Sequence, residues 1–504
     1  MNKPLWGVAL ACSLALAGLV SPASSAGESQ LSVEEEIRQL QALRNELERK
    51  TREFDQRIKA LEARLQEMPG EGADAAQQSV TVVPALASAP EETPAVAGIA
   101  EEEAPETWGR FEPGKGFVLA RTDMGELDFS AFTYARYLNQ KGLDSTYTDA
   151  FGRTTTLDLR NDIQFQKLTM NFKGWLFDPK FRYLFYTWTA NTSQGDGAQV
   201  VVAGNLGYQF DDAFSLYAGI GALPSTRSTN YTFPNWLKND HRTIADEFFR
   251  GSYTTGLWAS GALSPTVGYR AMIGNNLSQL GVNAVQLDNE LNTFSGALWW
   301  MPTTGEYGPG QGFGDYEYHE EVATLFGVHF THSREDAQGQ SEVEGFENSQ
   351  IRLSDGTRIF SDDPFLTGGN VRKATYEMLA LNAGFKYRGL SLEGEYYYRK
   401  VDDFVVIGEI PVTELEDQGF QLQGSAMLMP KVLQGYAAYS YIDGEYGNPS
   451  DVSVGLNYFP MSRRELRLGV QALRLNDSPV GYSSVPMALG GNGWVFSTDV
   501  ILAF

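Results

Sequence analysis

Of 504 residues only one is a cysteine and four are histidines. Cys12 falls inside an apolar run close to the N-terminus, so the chain beyond that run has no thiol. That excludes disulfide-stapled folds and thiol chemistry. Long apolar stretches are also missing. The run from about Leu5 to Val20 is shorter than a bilayer span, and nothing after it reads as a transmembrane helix. A chain without such helices can cross a membrane only as a closed barrel. Basic charge is scarce, with 39 Lys and Arg against 63 Asp and Glu and a net charge of -24, which argues against nucleic acid as a partner.

Catalytic signatures are equally thin. There is no Gly-x-Ser-x-Gly elbow. His329 and His332 stand three apart in a stretch of strand pattern, so they face opposite sides and cannot share a metal. Asp315, Glu317 and His319 share a face but lack further ligands. Asp362-Asp363 and Asp402-Asp403 read as solvated loop pairs, with Ca²⁺ or lipopolysaccharide-bridging cations as the other reading. The expectation is a chain that is not an enzyme and has no catalytic residue, metal or cofactor.

What is present begins with an export signal. Lys3, the apolar run and Ser21-Pro22-Ala23-Ser24-Ser25-Ala26 form a signal peptide over 1–26, cut after Ala26. A lipoprotein reading of Cys12 would need cleavage directly after Ala9-Leu10-Ala11. Residues 32–68 carry a heptad seam, with Val33, Leu40, Leu47, Phe54, Leu61 and Met68 at one position and Ile37, Arg44, Thr51, Ile58 and Leu65 at its partner. Ser32 with Glu35 makes a capping box, and Pro69-Gly70 ends the helix. The seam predicts a self-associating coiled coil, polar Arg44 and Thr51 setting its register; a lone amphipathic helix is the alternative. Residues 69–106, with Glu101-Glu102-Glu103, form an acidic linker without periodicity.

From about residue 126 the chain is strand after strand. The last eleven residues, WVFSTDVILAF, alternate strictly: Trp494, Phe496, Thr498, Val500, Leu502 and Phe504 on one face, Ser497 and Asp499 on the other. Glu126–Leu138 and Val200–Phe210 repeat the pattern, as do seven further segments. Short links (178–180, 211–212, 264–265, 388–389, 429–431, 460–464) alternate with long ones (139–156, 223–250, 276–289, 334–375, 401–416, 476–492). That rhythm, with 52 Gly, 24 Tyr, 29 Phe and a mean hydropathy of -0.28, predicts an all-β transmembrane antiparallel barrel of about sixteen strands over 107–504. The closing strand would pair with the one beginning near Glu126. One link, 302–318, is long where a short one is due, so either a strand is misplaced there or that turn is elaborated. A soluble all-β protein of repeated hairpins is the competing reading.

The third long loop, 223–250, has opposed charges suited to narrowing a lumen: Arg227, Lys238, His241, Arg242 and Arg250 against Asp240, Asp246 and Glu247. Its aromatics Tyr231, Phe233, Trp236, Phe248 and Phe249 call for a packing surface, whereas a solvated extracellular loop would not. Lumen-face candidates on the strands are Arg136, Arg160, Arg270, Lys386, Arg399 and Arg467, with Asp128, Asp158, Asp162, Glu393, Glu395, Glu465 and Asp499; most such residues pair with a neighbour in the wall.

The segments FKGWLFDPKFRYLFYTWTANTS (172–193), SLYAGIGALPSTRST (215–229) and the terminal WVFSTDVILAF resemble the phosphate-selective porin family, porins O and P. The likeness in architecture covers the chain beyond the signal peptide. It implies a homotrimer in the bacterial outer membrane, in contact with lipid and lipopolysaccharide, passing small anions by passive diffusion, with the N-terminal region in the periplasm. The family's anion path uses rows of arginines and constriction lysines. Here only Arg227, Lys238, Arg242 and Arg250 lie in the corresponding loop, with acidic neighbours, so general diffusion of small solutes or ions is the expectation. A barrel-anchored tethering protein and a substrate-specific channel are the alternatives.

Overall fold

The period-2 pattern becomes strands because one face can be buried in lipid and the other in a polar lumen, satisfying every backbone group only if the sheet closes. The computed structural model describes Arg49 and residues 109–504, apart from 113–114, 191–198, 231–234, 239–240, 281, 283–285, 287–290, 309–311, 341–349 and 483. The signal peptide, the heptad segment and the linker therefore lie outside the described residues.

A small hairpin, β1 (Arg110–Glu112) and β2 (Gly116–Thr122), precedes the barrel, and a second, β4 (Thr146–Thr148) with β5 (Thr154–Thr156), decorates the first long loop. The wall is built from β3 (Gly125–Leu143), β6 (Asn161–Leu176), β7 (Asp178–Ala190), β8 (Gln199–Gln209), β9 (Ser215–Ala222), β10 (Tyr253–Ser264), β11 (Val267–Gly274) and β12 (Thr293–Trp300). It continues through β13 (Ala323–Asp336), β14 (Asn370–Tyr387), β15 (Leu390–Ile407), β16 (Leu415–Met429), β17 (Leu433–Asp443), β18 (Ser450–Tyr458), β19 (Leu466–Asn476) and β20 (Gly493–Ala503). Each pairs antiparallel with the next, and β20 returns to β3 with Asp499 opposite Arg136, closing a ring of 16 strands. The ring itself has no open edge for stray pairing.

The strand count and the closing partner expected from the rhythm of links are the ones observed. The 302–318 anomaly resolves as an elaborated turn: among the described residues between Trp300 and Ala323 there is no strand. Phe504 forms a two-way backbone pair with Ala131 (2.7 and 2.9 Å), and its ring meets Phe117 at 5.7 Å and Phe129 at 6.2 Å. The terminus thus fills the gap between β20 and β2 along the β3 edge.

The two faces separate as the alternation requires. On β20, Trp494, Phe496, Val500 and Leu502 are exposed while Val495, Ser497, Asp499 and Ile501 are buried. On β18, Val452, Val454, Leu456 and Tyr458 face out, and Asp451, Ser453 and Asn457 face in. An apolar exterior of this extent would be a liability in water and is the normal surface of a wall in hydrocarbon. At one end the links are tight. Arg388 and Gly389 both have positive φ (46° and 82°), the two-residue turn whose twist matches the flanking strands. At the other end the links are long, and several fold inward.

Candidate functional site

Three inserted segments narrow the lumen. The first is the loop between Ala222 and Tyr253. Its helix α1 (Ile244–Phe249) starts at Thr243, whose side chain accepts from the Asp246 amide, and Asp246 and Glu247 in the first turn suit the positive end of the helix. Ile244, Phe248 and Phe249 are buried, Phe249 stacking on Tyr397 at 5.1 Å between ring centres. Burying a side chain of this size contributes about 1.5–3 kcal/mol. Polar bonds then tie the loop to one side of the wall. Thr243 donates to Gln421 at 2.8 Å, the Ile244 amide to Asp451 at 3.2 Å and the Ala245 amide to Ser440 at 3.2 Å. Asn457 donates to the Leu237 carbonyl at 2.9 Å, and Arg467 holds the carbonyls of Trp236 and Lys238 at 2.6 and 3.2 Å.

The second insert is the elaborated turn between Trp300 and Ala323. Tyr307 is 1% exposed, and the Lys386 ammonium bonds the carbonyls of Tyr307 and Gly312 at 2.7 and 2.6 Å. A Cβ on Gly384 would stand 2.2 Å from the Tyr307 hydroxyl, so only glycine admits the ring there. Phe313 donates its amide to the Asn235 carbonyl at 2.9 Å and packs with Leu237 and Tyr436, so this turn braces the first insert from the short-turn end. The third insert is the last long loop. Carbonyls of Ser484 and Pro486 accept from Arg136 (3.2 Å) and Gln140 (2.8 Å), and the Tyr482 hydroxyl donates to Glu247 at 2.9 Å.

The loop residues singled out from sequence divide into two groups. Arg227 bonds Glu393 at 3.2 Å and lies over the Phe313 ring at 4.8 Å, while its amide donates to Glu395 at 2.7 Å. Lys238, with its ammonium 3.7 Å from Asp451, and His241, bonded to Gln471 at 3.1 Å, are likewise sealed against the wall. Burial pushes the His241 imidazole well below its ordinary pKa, with Lys238 adding to the effect, so the ring is neutral. Burial also lowers the Lys238 pKa against the pull of Asp451.

Arg242 borders open space instead, its side chain 13% exposed, and Glu247 and Arg250 reach the same cavity with side chains only 2% exposed. The Arg242 guanidinium stacks over Trp236 at 4.4 Å and donates to Ser228 at 2.6 Å and Glu247 at 3.3 Å. Arg250 bonds Glu247 at 2.6 Å. Burial alone would raise the Glu247 carboxyl, but Arg250 and Arg242 overcome it and hold it at about 2. Asp246 lies behind this group, accepting from Thr226 at 3.0 Å, its pKa raised by burial. Asp240, Tyr231 and Phe233 lie outside the described residues.

Of the strand candidates, Arg270 faces the cavity beside Trp258 at 5.2 Å, and Arg160, bonded to Asp162 at 3.1 Å, faces the wide mouth at the long-loop end. Arg136 sits under the last loop. Arg399, paired with Asp417 and stacked on Phe248 at 4.1 Å, and Arg467 point inward but lie behind the first insert. His329 is buried and His332 exposed, on opposite faces. Asp315 and His319 do meet, in the elaborated turn and not on a strand, with Glu306 2.9 Å from the same ring and Glu317 paired instead to Arg464.

Three neighbouring cavities lie along the lumen among the described residues, and Glu247 of α1 borders the middle one. A mouth of about 880 Å³ at the long-loop end carries Arg153, Arg160, Arg352 and Arg358 against Asp149, Asp158 and Asp162. It shares Tyr482 and Val485 with a waist of about 250 Å³, where Lys167, Arg242 and Arg250 face Glu247 alone. The waist shares Leu184, Tyr186, Arg242, Arg250 and Tyr253 with a cavity of about 610 Å³ towards the short-turn end. There Lys115, Lys173, Arg182 and Arg270 join the two arginines against Glu126 and Asp128. Sequence reasoning passed over Lys115, Lys167, Lys173, Arg182 and Trp188. A signal was present for part of this set, since Arg182, Leu184, Tyr186 and Trp188 alternate on one face of β7.

A closed ring of 16 antiparallel strands, apolar outside and polar within, with loops folded into it, has the architecture of a transmembrane β-barrel. No protein-family model and no curated protein matches the chain. Solved structures similar to it include an in-vitro folded OmpT of Vibrio cholerae, described as a trimer form, at 11% identity over 76% of this chain and 100% of that one, TM-score 0.47. An anion-selective porin from Comamonas acidovorans is similar at 10% identity over 75% and 100%, TM-score 0.44. A mutant porin of Rhodopseudomonas blastica is similar at 10% identity over 76% and 100%, TM-score 0.38.

Proposed function

We propose that this chain is a trimeric outer-membrane porin through which small hydrophilic solutes diffuse, with preference for anions. The observation that carries the reading is the charge along the open path. The chain as a whole is acidic, yet the three cavities together present eleven Lys and Arg against six Asp and Glu, and the waist presents three cations to one carboxylate. Fixed charge at a narrow, weakly screened passage sets which ion enters. The trimer rests on the heptad seam of 32–68 and on the resemblance to the phosphate-selective porins. That segment would stand in the periplasm. The described residues of the waist do not demand phosphate over other small anions, so small anions in general are the assigned cargo.

Planar-bilayer recording of the full chain tests the reading. Stepwise openings with a reversal potential of anionic sign in a KCl gradient are expected. A cationic reversal potential would sink the anion preference, and a barrel that never conducts would leave an envelope anchor as the better account.

A further inference from the structure

The waist has two unlike halves. One is cationic: Arg242, Arg250 and Lys167, with both guanidinium groups anchored by Glu247. The other is apolar, made by Leu280 packed against Trp188, Val201 and Tyr253. Trp236 joins them, its ring lying under the Arg242 guanidinium on the same cavity. A passage meant only for inorganic ions gains nothing from an apolar wall, because hydrated ions shed water reluctantly and make no use of an indole. Flat apolar surface beside positive charge is complementary to an anion with a ring attached to it.

The enclosed volume is of the right scale. About 250 Å³ holds one six-membered ring with its carboxylate and a few waters, each water occupying about 30 Å³. The mouth and the lower cavity are more than twice as large, so the waist is where a ring would be in contact on several sides at once.

On this basis we propose that the waist is a binding subsite for monocyclic aromatic carboxylates, the carboxylate held between Arg242, Arg250 and Lys167 and the ring lodged among Trp188, Trp236 and Leu280. The inference rests on the lumen being a solute path, and it names the solute class that path favours. Stacking on one or two rings and removal of a phenyl face from water favour such a ligand over a small aliphatic acid by about tenfold or more.

The test uses the full chain in planar bilayers, with benzoate, acetate and inorganic phosphate each added to a chloride solution. Benzoate is expected to depress the chloride current saturably, with a half-blocking concentration about tenfold below that of acetate. Trp236→Ala is expected to raise the benzoate value about tenfold while moving the acetate value less than twofold. Trp494→Phe, on the lipid face of β20, serves as the control and should shift neither. Equal block by benzoate and acetate would overturn the proposal, and so would tighter block by phosphate, which would still leave an anion porin. If the barrel is silent, the path reading fails by itself. Titration of tryptophan fluorescence in detergent then decides the subsite: saturable quenching by benzoate that Trp236→Ala and Trp188→Phe reduce upholds it, and non-saturable quenching overturns it.

Discussion

Arg227 and Arg242 lie in one loop and have the same charge, yet the geometry gives them different tasks. Arg242 lines both the waist and the lower cavity, whereas Arg227 is 3% exposed and paired to the equally buried Glu393. Replacing each by Gln removes one positive charge. For Arg242→Gln the charge lost stands within about 5 Å of a passing ion, and in a water-filled passage this is worth about 1 kcal/mol to each ion. The sign is opposite for anion and cation, so their permeability ratio falls by up to about thirtyfold at low salt, and by less where a Debye length of about 10 Å screens the site. In a tenfold gradient of dilute KCl the reversal potential should move towards the cation side by on the order of 20 mV. Arg227→Gln should leave the reversal potential within a few millivolts. It strands the Glu393 carboxylate instead, at a cost of about 3–5 kcal/mol, seen as earlier unfolding of the barrel on heating in detergent. Equal shifts in reversal potential from both substitutions, or none from Arg242→Gln, would mean that ions do not pass between Arg242 and the β6–β8 wall.

Val454 lies in the middle of β18 on the lipid face, and Val454→Arg should destabilise the barrel in bilayers by about 2–4 kcal/mol, measured by urea titration of the folded fraction. Deleting Phe504 removes its ring contacts with Phe117 and Phe129 and its backbone pair with Ala131, costing about 2–3 kcal/mol in the same assay. Burial would lower the His319 pKa, but bonds to Asp315 and Glu306 carry it from 6.5 up to about 9, so their stabilisation is full below about pH 6.5 and is lost as pH rises through about 9. Protease cleavage within 301–322 should therefore rise between neutral pH and pH 10 in the parent protein, and Asp315→Asn should already be cut at neutral pH; a flat pH profile would contradict the pairing.

The wall was legible in the sequence because a sheet in lipid imposes period 2 on its strands, interrupted at bulges such as the one at Gln166 in β6. Trp494 to Phe504 shows it most plainly, and the alternation of short and long links gave strand number and closure. The inserts were legible only in part. The charges and aromatics of 223–250 announced a loop that needs packing, but which of its arginines meets water depends on partners far away in sequence. Arg227 finds Glu393 and Phe313, and Arg242 finds Trp236 and Glu247; nothing local distinguishes them. The same limit explains Arg399 and Arg467. Parity puts both on the inner face, and only the seating of the first insert covers them, α1 over Arg399 and the Trp236–Lys238 segment over Arg467. The elaborated turn was visible as an anomaly of length. Its inward course depends on Gly384, whose missing side chain leaves room for Tyr307.

Net charge misleads about the passage for a related reason. Nine basic and eighteen acidic residues precede Trp108, and the remainder of the chain still has 30 against 45. A uniform distribution would make the lumen acidic. Carboxylates in this barrel hold cations in place instead: Glu393 fixes Arg227, Asp417 fixes Arg399, Asp451 faces Lys238, and Glu247 bonds two guanidinium groups, with Asp246 3.8 Å from one of them, Arg242. A carboxylate shared by two arginines leaves their combined charge positive while fixing both side chains, which an isolated pair would not do. At the waist this arrangement converts three cations and one anion into a rigid positive site in a narrow space, where screening is weakest. The acidity of the whole therefore supports the basicity of the path. It follows that Glu247→Gln, which adds positive charge to the waist, should weaken selectivity, because Arg242 and Arg250 lose the partner that orders them; a sharpened anion preference in that variant would refute the ordering role and leave charge alone in control.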